Sequence, residues 1–287
     1  MSNKKAKSLH HFYPLALTVA GSDSGGGAGI EADLRTFNAF GVYGCCAITA
    51  VTAQNPRQVL EVVSMSAGSV EKQINAVMAA FSPVYIKTGL LGEASVVEAV
   101  ARAVEKYDFQ LICDPVAVAT SGTVFSNPET LDVLRRRLLP LARWITPNVP
   151  EALLLLEEDR KIDSEKALFR AAWDLHQKYG ADILLKGGHL DLPEAVDAVC
   201  RGGKLYRLTS PKADVPPFCS HGTGCTLSAA LTAGLTLEYP WKQALCEAKS
   251  FVLGSLSQNV ELGQGLFAMY PPTEDCYDLV KLEQVDI

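Results

Sequence analysis

The chain has 287 residues and a net charge of −6, and hydrophobic and charged residues make up 48% and 20% of it. This composition is typical of a globular protein and excludes a disordered chain, while the length suits one large α/β domain or two ordinary ones. The acidic balance argues against a protein that binds nucleic acid.

The cysteines and the N-terminus indicate a cytoplasmic protein. Eight cysteines with no CxxC pair predict neither a disulfide framework nor a zinc ribbon, so we expect reduced thiols. Residues 1–13 are basic, lack an apolar run, and are interpreted as a flexible leader. The longest uncharged stretch, 36–56, contains polar residues and glycines, which argues against a membrane span.

Apolar runs and helical patterns alternate along the chain. A strand at 15–21 is followed by the glycine-rich stretch 25–29 and then by a helical pattern at 30–41. Residues 196–210 are predicted to form a hairpin around Gly202-Gly203. Further helices are predicted at 93–106, 128–138, 150–157, 164–178, 223–236 and 241–258. The alternation predicts one domain, 14–267, with a mostly parallel sheet covered by helices on both faces. Residues 268–287 are interpreted as a surface tail.

Polar residues follow most of the predicted strands, where ligands bind in sheets of this kind. Each residue alone has an ordinary explanation, because Asp114 and Asn148 are common turn formers and Lys87 or Lys186 can snorkel. Together they predict a ligand site at one edge of the sheet. The strand-end residues are Gly21-Ser22-Asp23, Thr52, Gln54-Asn55, Lys87-Gly89, Asp114, Thr146-Pro147-Asn148 and Lys186-Gly187-Gly188-His189.

The turn Gly222-Thr223-Gly224-Cys225 precedes a predicted helix. Unpaired N–H groups at a helix start favour an anion, and the same field is expected to lower the pKa of the Cys225 thiol. The alternative is a glycine turn before a buried helix, with Cys225 as a small core residue.

Several ligands fit these residues to different degrees. Gly27-x-Gly29-x-x-Ala32 matches a dinucleotide fingerprint, but the next strand lacks the acidic residue that such a site requires. No GxxxxGK[ST] loop is present, so an ATP site needs the 222–224 turn as its anion cradle. Asn148 with Glu151 can hold a hydrated Mg²⁺, although Glu151 also suits a helix start. A cysteine hydrolase using His221 and Cys225 is a weaker alternative.

Seven motifs, in this order, carry a family resemblance: AGSDSGGGAGIEADLRTF, ITAVTAQN, KTGLLG, CDPVAVATSG, ITPNVPEA, LLKGGH and HGTGCTLSAA. From about residue 15 to 260 the chain resembles the hydroxymethylpyrimidine/phosphomethylpyrimidine kinases of thiamine biosynthesis, within the ribokinase-like superfamily. The resemblance implies a three-layer α/β/α domain with a central, mainly parallel sheet. It also implies that Mg²⁺ and ATP are used to phosphorylate 4-amino-5-hydroxymethyl-2-methylpyrimidine and then its monophosphate. A homodimer that binds neither nucleic acid nor membrane is expected.

The resemblance also assigns roles to residues. Gln54 would read the pyrimidine, since an amide can donate to a ring nitrogen and accept from the amino group. The other pocket positions would be Gly21, Ala28, Thr52, Leu90 and Val116. Gly222, Thr223 and Gly224 would stabilise the transferring phosphoryl group. The nucleotide and metal side would comprise Asn148, Glu151, Lys186 and Gly224, with Asp114 as a further Mg²⁺ or water ligand.

Cys225 stands where sugar kinases of the superfamily carry an aspartate base. We hypothesise that a thiol accepts the proton of the hydroxymethyl group in the first step and stays neutral beside the anionic phosphate in the second. Leu90 and Ala117 replace methionines that are common in the family. The alternatives are a pyridoxal kinase of the same superfamily and a non-catalytic pyrimidine-binding module.

Overall fold

The structure is a computed structural model that describes residues 13–117, 127–188 and 190–286. The predicted leader lies outside these ranges apart from Tyr13, as do His189 and the end of the CDPVAVATSG motif. Among the described residues, no helix combines the length and the apolar character needed to cross a bilayer.

Ten strands form one sheet in the order β12-β9-β8-β7-β6-β5-β4-β1-β2-β3, and β10 and β11 form a separate pair. Strand β1 pairs in parallel with β2 and β4, and the parallel part continues through β5, β6 and β7. The strands are β1 (Leu15–Asp23), β2 (Tyr43–Asn55), β3 (Gln58–Ser64), β4 (Tyr85–Thr88), β5 (Gln110–Cys113), β6 (Ala142–Ile145), β7 (Asp182–Lys186), β8 (Ala195–Arg201), β9 (Lys204–Ser210), β10 (Val260–Gly263), β11 (Leu266–Ala268) and β12 (Lys281–Val285).

Helices cover both faces of this sheet. The helices are α1 (Gly29–Ala39), α2 (Ala67–Ala80), α3 (Ala94–Tyr107), α4 (Pro128–Val133), α5 (Val149–Leu156), α6 (Glu165–Tyr179), α7 (Thr223–Thr236) and α8 (Trp241–Ser257). Side chains of α2 to α6 pack in the core on one face, and those of α1, α7 and α8 pack on the other. The predicted three-layer α/β/α fold with a mainly parallel sheet is confirmed.

The central strands read as continuous apolar runs because both of their faces are buried. In β7, Ile183 and Leu185 belong to the first core, whereas Leu184 between them belongs to the second. Successive side chains of a strand point to opposite faces, so every residue of such a run finds an apolar layer.

Three details of the fold concern predicted elements. The predicted hairpin at 196–210 is confirmed by the antiparallel pairing of β8 with β9. The segment interpreted as a C-terminal tail contributes β12, which pairs antiparallel with β9 at the edge of the sheet. The predicted helix at 128–138 begins as α4 and continues as a π-helical turn over Leu134–Leu138.

Candidate active site

A cavity of about 400 Å³ opens at the carboxyl ends of the parallel strands. Its walls come from the glycine loop after β1, from the turn that starts α7, and from the residues that follow β5, β6 and β7. Polar side chains therefore meet in three dimensions although the sequence separates them widely. Eleven of the predicted site residues line this cavity: Ala28, Gln54, Asp114, Val116, Asn148, Glu151, Lys186, Gly222, Thr223, Gly224 and Cys225.

Helix α7 starts without a side-chain cap. Gly222 occupies its N-cap position with φ of +88°, and no side-chain oxygen accepts a hydrogen bond there. Helices α1, α3 and α8 also lack a side-chain cap, whereas Ser66 caps α2 and Ser164 caps α6 through their hydroxyl groups. The Thr223 N–H donates to the Ser220 carbonyl at 3.2 Å, so Gly224 and Cys225 supply the first-turn N–H groups that a ligand in the cavity can meet, which is the arrangement that binds anions at helix starts.

Two glycine-containing loops touch at this point. A Cβ added at Gly222 would lie 1.9 Å from the carbonyl oxygen of Gly27, so only glycine fits. The positive φ of Gly222 independently favours glycine. This contact brings the loop after β1 against the start of α7.

Lys186 and Asp114 form an ion pair in the cavity wall. We call the region of Lys186, Asp114 and Glu151 the lysine end of the cavity. Lys186 Nζ donates to Asp114 Oδ1 at 2.8 Å, and the hydroxyls of Thr146 and Ser228 also donate to this carboxylate, at 3.2 and 3.3 Å. Although burial alone would lower the pKa of Lys186, Asp114 and Glu151 raise it above its usual value. The ammonium therefore stays charged. It lies close to the start of α7, because a Cβ added at Gly224 would lie 3.2 Å from Nζ.

Asn148 and Glu151 cap the start of α5. Asn148 Oδ1 accepts from the Glu151 N–H at 2.9 Å, and Glu151 Oε2 accepts from the Asn148 N–H at 2.8 Å. This capping box provides acceptors for N–H groups at the start of α5. Capping the helix start is the alternative role that the sequence suggested for Glu151. Burial raises the pKa of Glu151 to about 7, although the charge of Lys186 acts in the opposite direction.

The expectation of a low pKa at Cys225 is wrong. The side chain borders the cavity, but burial raises the pKa of its thiol to about 11, outweighing the lowering effect of Lys87. The nearby carboxylates Asp33 and Asp114 add to the increase. A protonated thiol is therefore the resting state near neutral pH.

Gln54, Ala28 and His221 form a second region of the cavity wall, which we call the glutamine end. His221 Nε2 lies 2.9 Å from Asp23 Oδ2 and 3.3 Å from Gln54 Nε2. The Asp23 carboxylate also accepts from the N–H groups of Gly25, Gly27 and Ala28 in the glycine loop. Although burial acts to raise it, the hydrogen bonds from His221 and the loop lower the pKa of Asp23.

The sequence did not identify the Asp23–His221 pair, whose members are 198 residues apart. Asp23 stood out only as a strand-end residue, and His221 only as a neighbour of Cys225. In the structure His221 is held by Asp23, so the arrangement differs from the cysteine–histidine pair of a hydrolase.

Three predicted pocket residues, Gly21, Thr52 and Leu90, are not among those that line the cavity. The Thr52 hydroxyl donates to the Ser22 carbonyl at 2.9 Å, which occupies it within the fold. Leu90 is buried, and a Cβ added at Gly21 would lie 3.1 Å from its Cδ2. Their roles in the pocket stay predictions.

Two further lysine–aspartate pairs escaped the sequence analysis. Lys87 is not exposed and contacts both carboxylate oxygens of Asp33, at 2.9 and 2.8 Å, so it does not snorkel. Lys249 donates to Asp197 at 2.7 Å, and both of these residues line the cavity. The sequence holds no signal for either pair, because each joins a helix to a distant strand.

Comparison with known proteins gives consistent matches. A sequence model described as phosphomethylpyrimidine kinase matches residues 23–270. The hydroxymethylpyrimidine/phosphomethylpyrimidine kinase of Rhizobium meliloti is 41% identical over 88% of this chain and 94% of its own length. The enzyme of the same name from Escherichia coli is also 41% identical, with the same coverage of both chains.

Solved structures share the fold. The pyridoxal kinase of Staphylococcus aureus, in complex with AMP-PCP and pyridoxal, has a TM-score of 0.85 at 29% identity, covering 96% of this chain and all of its own. The phosphomethylpyrimidine kinase of Clostridium difficile has a TM-score of 0.72 at 36% identity, covering 83% of this chain and 97% of its own.

Proposed function

The chain belongs to the phosphomethylpyrimidine kinase family, and we infer that the cavity described above is the active site of an ATP-dependent kinase of thiamine biosynthesis. Its substrates would be 4-amino-5-hydroxymethyl-2-methylpyrimidine and the monophosphate of that compound. One observation carries the proposal: the uncapped start of α7 and Lys186 share a cavity with Gln54. The cavity therefore offers an anion site and an amide that can read a heterocycle.

At the glutamine end, Gln54 would recognise the pyrimidine. Its amide can donate to a ring nitrogen and accept from the 4-amino group. Ala28 and Val116 line the same cavity and are small enough to let a ring lie close to the backbone. Gly21, Thr52 and Leu90 would then support this end from behind the cavity wall.

At the lysine end, the chain would stabilise the charge of the phosphoryl group during its transfer. The N–H groups of the 222–224 turn and the Lys186 ammonium are fixed before a ligand arrives, so little reorganisation is needed during the reaction. Phosphoryl transfer requires mainly positioning and charge stabilisation, and these residues supply both.

The Cys225 side chain would have a different role in each of the two phosphorylation steps. In the first step, the thiol would have to release its own proton to solvent before the resulting thiolate could take the proton of the hydroxymethyl oxygen as that oxygen bonds to phosphorus. In the second step the attacking group is already an anion, and a neutral thiol does not repel it. The raised pKa of Cys225 agrees with a neutral thiol in the second step, and it makes the thiolate that the first step needs a minor species near neutral pH.

The lysine end fits a nucleotide and its metal. Carboxylate and amide oxygens are hard ligands of the kind that Mg²⁺ prefers, and Asn148 with Glu151 offers both beside Lys186. Asp114 is already bound by three donors, so it suits a contact through water better than a direct one. A bound Mg²⁺ would neutralise charge on the phosphates.

The test is an ADP-release assay with three acceptors compared side by side: the hydroxymethylpyrimidine, its monophosphate and pyridoxal. We expect turnover of both pyrimidines. Binding of the pyrimidine without ADP release would instead indicate a non-catalytic module. Turnover of pyridoxal alone would overturn the proposed substrate.

Pyridoxal is included because one observation favours it as a second substrate. The TM-score with the Staphylococcus aureus pyridoxal kinase, 0.85, exceeds that with the Clostridium difficile phosphomethylpyrimidine kinase, 0.72. The sequence identities, 29% and 36%, point the other way. Comparable kcat/KM values for pyridoxal and the hydroxymethylpyrimidine would establish a dual activity.

We also propose that the chain forms a homodimer through β2 and β3. Strand β3 is an edge strand, and Leu60, Val62 and Val63 on it are 70%, 39% and 52% exposed. An apolar edge strand of this kind invites pairing with a second copy. We expect light scattering to give a dimer for the native protein and a monomer for L60E/V62E. The control is L262E, at an exposed leucine of β10, and a native monomer at micromolar concentration would overturn the proposal.

A cytoplasmic location is part of the same proposal. Its support is that all eight cysteines, which lie within the described residues, are free thiols.

A further inference from the structure

Asp197 joins two parts of the cavity wall. Its Oδ1 accepts from the Gly187 N–H at 3.0 Å, and its Oδ2 accepts from Lys249 Nζ at 2.7 Å. Asp197 lies at the start of β8 opposite Lys186, the last residue of β7. Lys249 comes from α8, so the carboxylate links a helix to the turn that follows Lys186.

This turn is pressed against β8. A Cβ added at Gly187 would lie 2.5 Å from the carbonyl oxygen of Val196, so the backbone there has no room for a side chain. Strand pairing ends at Lys186, and the next N–H, that of Gly187, goes to the Asp197 side chain. The Asp197 carboxylate therefore fixes the point at which the backbone leaves the sheet after Lys186.

Stability alone is a weak reason for such a pair. Lys249 and Asp197 are 8% and 4% exposed at their side chains, and a buried ion pair often adds no more stability than apolar residues of similar size. Within the described part of the chain, Asp197 is the hydrogen-bond partner of Lys249. Both residues line the cavity that contains Lys186.

We propose that Lys249 and Asp197 are positioning residues for nucleotide binding. Lys249 holds the Asp197 carboxylate, which holds the Gly187 N–H, and the turn then keeps Lys186 and Gly188 in place against the phosphates of a nucleoside triphosphate. The inference depends on the proposed function only in taking a nucleoside triphosphate as the ligand of the lysine end.

The same two strands carry a matched control at their opposite end. Arg201 at the end of β8 pairs with Asp182 at the start of β7, at 3.0 Å. Arg201 and Asp182 are not among the residues that line the cavity. Removing this pair disturbs the hairpin at the far edge and leaves the turn at Gly187 untouched.

The experiment measures binding of Mg-AMP-PCP by titration calorimetry to the full chain and to K249M, D197A, D197N and the control R201M. We expect K249M and D197A to weaken binding about tenfold, D197N to weaken it less because its amide oxygen can still accept from Gly187, and R201M to leave it unchanged. In turnover, the KM for ATP rises while that for the pyrimidine stays within about twofold.

A purely structural role would give a different pattern. In that case K249M and R201M would lower the unfolding temperature, and folded molecules of both would bind AMP-PCP with native affinity, which overturns the proposal. K249R, which keeps the charge, is expected to fold and to recover part of the affinity lost in K249M. Because binding is measured without turnover, the result stands even if the protein does not phosphorylate the pyrimidine. Failure of the native chain to bind AMP-PCP would overturn the nucleotide assignment itself.

Discussion

Lys87 and Lys186 lie at corresponding positions near the carboxyl ends of β4 and β7, and each pairs with an aspartate, but their surroundings differ. Lys87 contacts both oxygens of Asp33 and neither residue is exposed, whereas Lys186 contacts one oxygen of Asp114 and is 14% exposed. The first pair is closed on all sides within the fold. The second opens into the cavity, so its remaining N–H groups are available to a ligand. The same two residue types thus serve the core in one place and the site in the other.

Removing the open lysine gives the largest expected effect. For Lys186→Met we expect kcat to fall about 100- to 1000-fold, because a preorganised cation facing the transferred phosphoryl group is lost. The KM for the pyrimidine should change little, since Gln54 contacts His221 whereas Lys186 contacts Asp114. Steady-state kinetics with both substrates varied provides the measurement, and an unchanged kcat would contradict the assignment of Lys186.

Removing the closed lysine should affect stability instead. Lys87→Met leaves the Asp33 carboxylate buried without its cation, so we expect the free energy of unfolding to fall by about 3–5 kcal/mol. The activity per folded molecule should fall less than in Lys186→Met, and mainly in the first phosphorylation, because Lys87 lowers the pKa of the Cys225 thiol. Urea unfolding measures the loss, and K87M/D33L should recover much of it because no buried charge remains. A K87M protein as stable as the native one would contradict the inference that Lys87 compensates the buried charge of Asp33.

Cys225 lies within the electrostatic influence of both pairs, since Lys87, Asp33 and Asp114 all affect the pKa of its thiol. For Cys225→Asp we expect the second phosphorylation to lose about tenfold more rate than the first, because a fixed carboxylate repels the anionic monophosphate. Single-turnover assays with the two pyrimidines separate the steps. Equal losses in both would refute the hypothesis that a neutral thiol is required.

The smallest expected effect concerns Glu151, beside the open pair. Burial raises its pKa from the usual 4.5 to about 7 in the folded protein, so folding favours its protonated form. The stabilisation from this group is complete below pH 4.5 and is lost as the pH rises through 7. We therefore expect native stability, relative to Glu151→Gln, to fall by about 1 kcal/mol between pH 6 and pH 8.5. Urea midpoints of the two proteins at both pH values test this, and a constant difference would contradict the raised pKa.

The sequence was sufficient to predict the layers of the fold and most of the cavity. Apolar runs that alternate with helical patterns predicted the sheet and its helices, and polar residues at strand ends predicted Asp114, Asn148 and Lys186 at one edge. The sequence could not distinguish the two lysines, because Asp33 lies 54 residues from Lys87 and contacts this lysine only after α1 packs on the sheet. The pKa of Cys225 was mispredicted for the same reason: the helix start is local, whereas burial depends on the whole fold.

The contact between Gly222 and Gly27 couples the two ends of the cavity mechanically. Because the carbonyl of Gly27 leaves no space at Gly222, the loop after β1 cannot move inward without displacing the start of α7. The Asp23–His221 hydrogen bond ties the same two segments together a few residues away. A molecule that shifts the loop beside Gln54 would therefore also shift the N–H groups at the start of α7. We expect occupancy of one end to change the affinity of the other, and thermodynamic linkage makes that influence equal in both directions.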